Sequence, residues 1–134
     1  MARTNLPLTA LAANSSIAAP TGTAIDATNN MNVAIPTSTI PATPDVNNMV
    51  LLVSNTVASS KVVTVRAGVG GGVTPGPAFR SGIGDLAITI PASSTVYIGP
   101  LETARFAQLD GSLNIDFAAA TTGTITALIM PERF

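Results

Sequence analysis

The chain has 134 residues, room for one domain and its core but not for two. Only 10% of its residues are charged and 46% are hydrophobic, against roughly a quarter charged in an ordinary globular protein, so its surface is short of the charge that keeps a monomer apart from its neighbours. The six basic residues are scattered and the net charge is −1, which argues against nucleic-acid binding; the absence of Cys rules out disulfides and thiolate metal sites, and the absence of His removes the commonest general base.

Residues 1–47 carry Pro7, Pro20, Pro36, Pro41 and Pro44 among Thr, Asn, Ala and Ser. Proline cannot donate to a ladder and breaks helices, so this stretch is expected to be an extended arm with short edge strands, Leu6–Leu11 and Met31–Ile35 being the pieces that pair with a sheet. Met1–Ala13 has one positive charge and small residues like a signal peptide, but Pro7 and Thr9 interrupt its apolar run. No apolar run approaches the roughly 18 residues that cross a membrane.

From residue 48 the pattern becomes short apolar runs separated by turn residues every eight to twelve positions, the signature of a sandwich or barrel. Met49–Val53 is continuously apolar and predicts a central strand covered on both faces. Asn55–Ser60 reads as a turn and Lys61–Arg66 as a strand with at least one wet face, the two runs forming a hairpin with a loop longer than the two-residue minimum. Gly68–Pro77, rich in Gly with two Pro, predicts a long excursion between strands.

Leu86–Ile90 alternates, with Leu86, Ile88 and Ile90 inward. Thr95–Ile98, Thr103–Ala107, Leu113–Phe117 and Thr124–Met130 follow as strands. Gly99-Pro100, Asp110-Gly111 and Thr122-Gly123 supply the turns, with Asp110-Gly111 read as a type I′ hairpin whose following strand puts Leu113, Ile115 and Phe117 in the core. The expected fold is therefore an all-β antiparallel sandwich, jelly-roll-like, spanning residues 48–134 behind an extended N-terminal arm of residues 1–47.

Seven carboxylates, Asp26, Asp45, Asp85, Glu102, Asp110, Asp116 and Glu132, remain as candidate chemistry. They form no ligand cluster of the EF-hand kind, and turn or strand position explains Asp110 and Asp116, so no catalytic, metal or cofactor site is assigned. The glycine stretch lacks the Gly-Lys-Ser/Thr of a phosphate loop and its prolines oppose a following helix. Asn14-Ser15-Ser16 matches the glycosylation tripeptide but carries no weight alone. The candidate contact residues are Leu6, Leu8 and Leu11 of the arm, with Arg80, Arg105 and Arg133 for ion pairs between subunits.

Gly84-Asp-Leu-Ala-Ile-Thr-Ile-Pro-Ala92, Tyr97-Ile-Gly-Pro-Leu-Glu-Thr-Ala-Arg-Phe106, Asp110-Gly-Ser-Leu113 and Thr121-Thr-Gly-Thr-Ile-Thr-Ala127 resemble stretches of small structural proteins of tailed bacteriophages. In length and all-β pattern the chain is most similar to their head decoration, or capsid cement, proteins. The resemblance implies a virion protein, made in the host cytoplasm, that stabilises the capsid surface without catalysis. Its partners would be the major capsid protein and copies of itself, as a homotrimer or other oligomer, with no nucleic acid, membrane or cofactor. Two other readings stay open: a carbohydrate- or receptor-binding β-sandwich, and a tail or head-to-tail connector component.

Overall fold

The computed structural model describes residues 2–12, 14–34, 49–68, 84–101, 103–108 and 110–130. Their strands are β1 (Thr4–Asn5), β2 (Leu8–Ala10), β3 (Thr23–Ala24), β4 (Met31–Ala34), β5 (Met49–Asn55), β6 (Lys61–Val65), β7 (Leu86–Ile90), β8 (Thr95–Ile98), β9 (Ser112–Phe117) and β10 (Gly123–Ile129). The protein is all-β, with two mixed five-stranded sheets. Sheet A runs β1-β4-β9-β6-β7; sheet B runs β2-β10-β5-β8, with β3 also on β10.

Strand alternation explains which side chains are interior. Met49, Leu51 and Val53 of β5, Val63 and Val65 of β6, Leu113 and Ile115 of β9, and Ile125 and Ala127 of β10 are fully enclosed, and they join a single apolar core drawn from both sheets. Three residues of the proline-rich stretch belong to it too: Leu6, Met31 and Val33. The chain enters sheet A as β1, parallel to β4, and steps past Pro7 into sheet B as β2, parallel to β10. Leu6 sits at that step, its N–H donating to Asn32 O at 2.7 Å. The expected strand pieces around Leu8 and Met31 therefore exist, but the core does not begin at residue 48, and the two parallel pairs make the sheets mixed rather than wholly antiparallel.

Three local expectations give way for physical reasons. First, β5 and β6 are not a hairpin. They lie in different sheets, and Asn55, 1% exposed, holds the crossing: its Nδ2 donates to Ser59 O (3.0 Å) and Pro91 O (3.1 Å), and its Oδ1 accepts from Val57 N (3.0 Å). Secondly, Thr103–Phe106 is a single helical turn, α1. Phe106 and Ala107 are both enclosed, and no strand among the described residues pairs with this segment. Thirdly, Asp110-Gly111 follows that turn instead of a strand. Only Gly111 takes positive φ (78°), while the Asp110 carboxylate accepts from Ser112 N (3.1 Å) and Ser112 Oγ (2.6 Å), so the turn is not type I′.

Candidate interaction surface

The pleat that fills the core also decides what each sheet shows outward. On sheet A, Asn5, Asn32 and Asn114 align across β1, β4 and β9, and Thr64 of β6 faces Asp116 of β9. Charges complete this face. Arg3 Nη1 meets Asp116 Oδ1 at 2.5 Å, Arg66 Nε meets Asp116 Oδ2 at 3.5 Å, and Arg66 Nη1 meets Asp85 Oδ2 at 2.8 Å. These are partly exposed pairs worth up to about 1 kcal/mol each, so their main effect is to keep the face wet and hold the start of β1 against β9.

The outer face of sheet B is different. Its rows run Thr95–Ser54–Thr124, Tyr97–Leu52–Thr126 and Val50–Leu128–Thr9, with Met130 continuing the alternation beyond β10. None of these residues is charged. Thr95 Oγ1 donates to Ser54 Oγ at 3.0 Å, so the hydroxyls partly satisfy one another. Tyr97 is 72% exposed and Met130 50%, whereas Val50, Leu52 and Leu128 are half-covered by their neighbours. The continuously apolar β5 predicted a strand covered on both faces; among the described residues its Met49, Leu51 and Val53 face is enclosed, while Val50, Leu52 and Ser54 on the other are partly covered.

Among the described residues, two of the depressions beside the sheets bear on the site. One, about 710 Å³, is lined by Thr4, Asp26, Thr28 and Ala119–Thr121 among others. Its single carboxylate is already occupied: Asp26 accepts from Thr28 N, Asn29 N and Asn29 Nδ2, each at 3.0 Å, and from Thr4 Oγ1 at 2.5 Å. Chiefly the Asn29 N–H, then the Thr4 hydroxyl, holds the Asp26 carboxyl down from 3.8 to about 2. Because this folded pKa lies below the unfolded one, the Asp26 contribution to stability is complete above about pH 4 and disappears as pH falls through about 2. Acid titration of the wild type followed by circular dichroism is expected to show stability falling across that window. Asp26→Asn should flatten the fall, and an unchanged titration would show that this carboxylate does not pin β1.

The other depression, about 290 Å³, lies between the sheet edges β7 and β8 and is lined by Leu86, Ile88, Tyr97, Leu101, Arg105 and Phe106 among others. Arg105 Nε donates to Gly84 O at 3.1 Å and its guanidinium lies 4.9 Å from the centre of the Phe106 ring.

Of the contact residues expected from sequence, Leu6 is used by the chain's own core and is 1% exposed, so in this fold it is not free to meet another subunit. Leu8 packs partly against the same core, and Leu11 N donates to Ile129 O at 2.9 Å. Arg105 borders the β7–β8 groove, while Arg80 and Arg133 lie outside the described residues. Sequence reading missed the sheet B face as a unit, although the unbroken apolar run of β5 was its signal. Among the described residues no three acidic side chains gather in a possible metal site, and no helix is long and apolar enough to cross a membrane. Compared with known protein families, with curated proteins and with solved structures, the chain has no significant match.

Proposed function

We propose that this chain is a structural subunit of a larger protein shell that works by packing and performs no catalysis. The two sheets are read as a β-sandwich of the jelly-roll-like kind, with the sheet B face as the docking surface. The observation that carries the reading is β5: apolar on both faces, enclosed on one, and flanked on the other by the uncharged rows of β8 and β10. Covering Tyr97 and Met130 there would remove large apolar surfaces from water, at about 25 cal/mol per Å². Repetition around a symmetric shell adds such modest contacts together.

Joined to the resemblance noted in the sequence, this reading makes the chain a decoration subunit on the capsid surface of a tailed bacteriophage. The partner is then the major capsid protein, with copies of this chain, as a trimer or other oligomer, alongside. A sugar-binding role has less support, since Tyr97 stands beside Leu52, Ser54 and Thr95 with no carboxylate or amide in its rows. The test is oxidative footprinting of Tyr97 and Met130 in the free chain and in particles that contain it. Both residues are expected to be reactive when free and protected in the particle; equal reactivity in the two states would reject the sheet B face as the contact.

A further inference from the structure

We infer that two copies of this chain pair edge to edge through β8, making sheet B continuous across a two-fold axis. Among the described residues no strand pairs with the outer edge of β8 or of β7. Asn55 N donates to Ser94 O at 2.8 Å, and the alternation of an antiparallel ladder then turns the backbone groups of Val96 and Ile98 toward β5. Those of Thr95 and Tyr97 point outward. An unpaired edge of this kind is a template for another strand, and proteins that keep such edges apart use charge or proline. The side where β1 and β2 lie has Arg3 and Pro7; β8 reads Thr-Val-Tyr-Ile and β7 reads Leu-Ala-Ile-Thr-Ile, with neither.

The occupant is a second copy because of charge. A two-fold contact sets every residue near the axis against its own kind, so a charged edge would meet like charge there. The β8 edge has no charge to repel. With Val96 on the axis opposite Val96 of the second copy, Thr95 of each chain exchanges backbone hydrogen bonds with Tyr97 of the other. Arg105, the cation in the groove lining, lies off the β8 strand itself and is tied to Gly84 O at 3.1 Å. The groove walls Leu86, Ile88 and Tyr97 come together along the same seam. An edge contact is smaller than the ~800 Å² per partner of a standard interface, so the dimer is weak when alone and is strengthened by concentration on a surface.

The pairing is independent of what covers the sheet B face and is tested with the purified full-length chain alone, so its failure and that of the shell reading are separable. Sedimentation equilibrium should show a concentration-dependent monomer–dimer equilibrium, weakened at least about tenfold by Tyr97→Lys with the fold unchanged. The wild type has no Cys. Val96→Cys, opposite itself at a Cα separation of about 4.5 Å, should oxidise to a disulfide-linked dimer, whereas Thr124→Cys, exposed on β10, should not. A wild type that stays monomeric at millimolar concentration, an unchanged equilibrium in Tyr97→Lys, or Val96→Cys linking no faster than Thr124→Cys would overturn the pairing.

Discussion

Leu6→Ala is expected to lower the stability of the isolated chain by about 3 kcal/mol and its melting midpoint by roughly 10 °C. Leu6 is 1% exposed at the place where the chain leaves sheet A for sheet B, and its backbone is tied to Asn32. Truncation would remove apolar contact with the core and leave a cavity that Pro7, with its fixed φ, restricts the chain from collapsing into. Against a total stability of some 5–15 kcal/mol the loss is large. Thermal denaturation of purified protein measures it. A change below about 1 kcal/mol would mean that the first residues are an arm whose contacts lie outside the subunit.

Gly123→Ala should have an effect of similar size from a different cause. Gly123 has φ of 136°, a region that residues with a side chain rarely adopt, and a Cβ there would lie 1.8 Å from Ser54 O, inside backbone of the neighbouring strand. Relief requires β10 and β5 to separate at their paired ends, where Gly123 faces Asn55. A loss of about 3 kcal/mol or more is expected. Gly111→Ala is the comparison: φ is 78° and nothing lies within 4 Å of the added methyl, so only the backbone cost of about 1–2 kcal/mol applies. Equal losses in the two variants would show that the contact with Ser54 does not matter.

What the sequence made legible was the set of features carried by neighbours in the chain. The alternation in Leu86–Ile90 and Leu113–Phe117 placed the right side chains inward, because period two leaves little choice once one face is buried. The helical turn at Thr103–Phe106 was hidden because four residues hold too little of either period to separate helix from strand. The crossing at Asn55 was hidden for another reason. An Asn before a turn reads alike whether the next strand joins the same sheet or the other, and only its bonds to Ile90 O and Pro91 O, over 30 positions away, tell them apart.

The same distinction holds for the candidate surface. Arg3 with Asp116, and Asp26 with Thr4, are partners brought together by topology, and nothing local announces them. Proline content made residues 1–47 look detached, yet short strands on sheet edges tolerate proline at their ends, as Pro7 does between β1 and β2. The uncharged face of sheet B was half visible: the apolar run of β5 announced two buried faces, but which strands would flank it depended on the sheet order. Among the described residues β5 is fully covered on one face, and this is the basis for proposing a partner on the other.

The most direct measurement is therefore the reactivity of Tyr97 and Met130 toward hydroxyl radicals in the free chain and in the assembled particle, with the enclosed Met31 and Met49 as internal references. Packing through sheet B predicts that Tyr97 and Met130 react readily in the free chain and fall toward the level of Met31 and Met49 on assembly, while Val62 on the outer face of sheet A keeps its reactivity. Protection of Val62 with Tyr97 and Met130 unchanged would contradict it, placing the contact on the charged face instead.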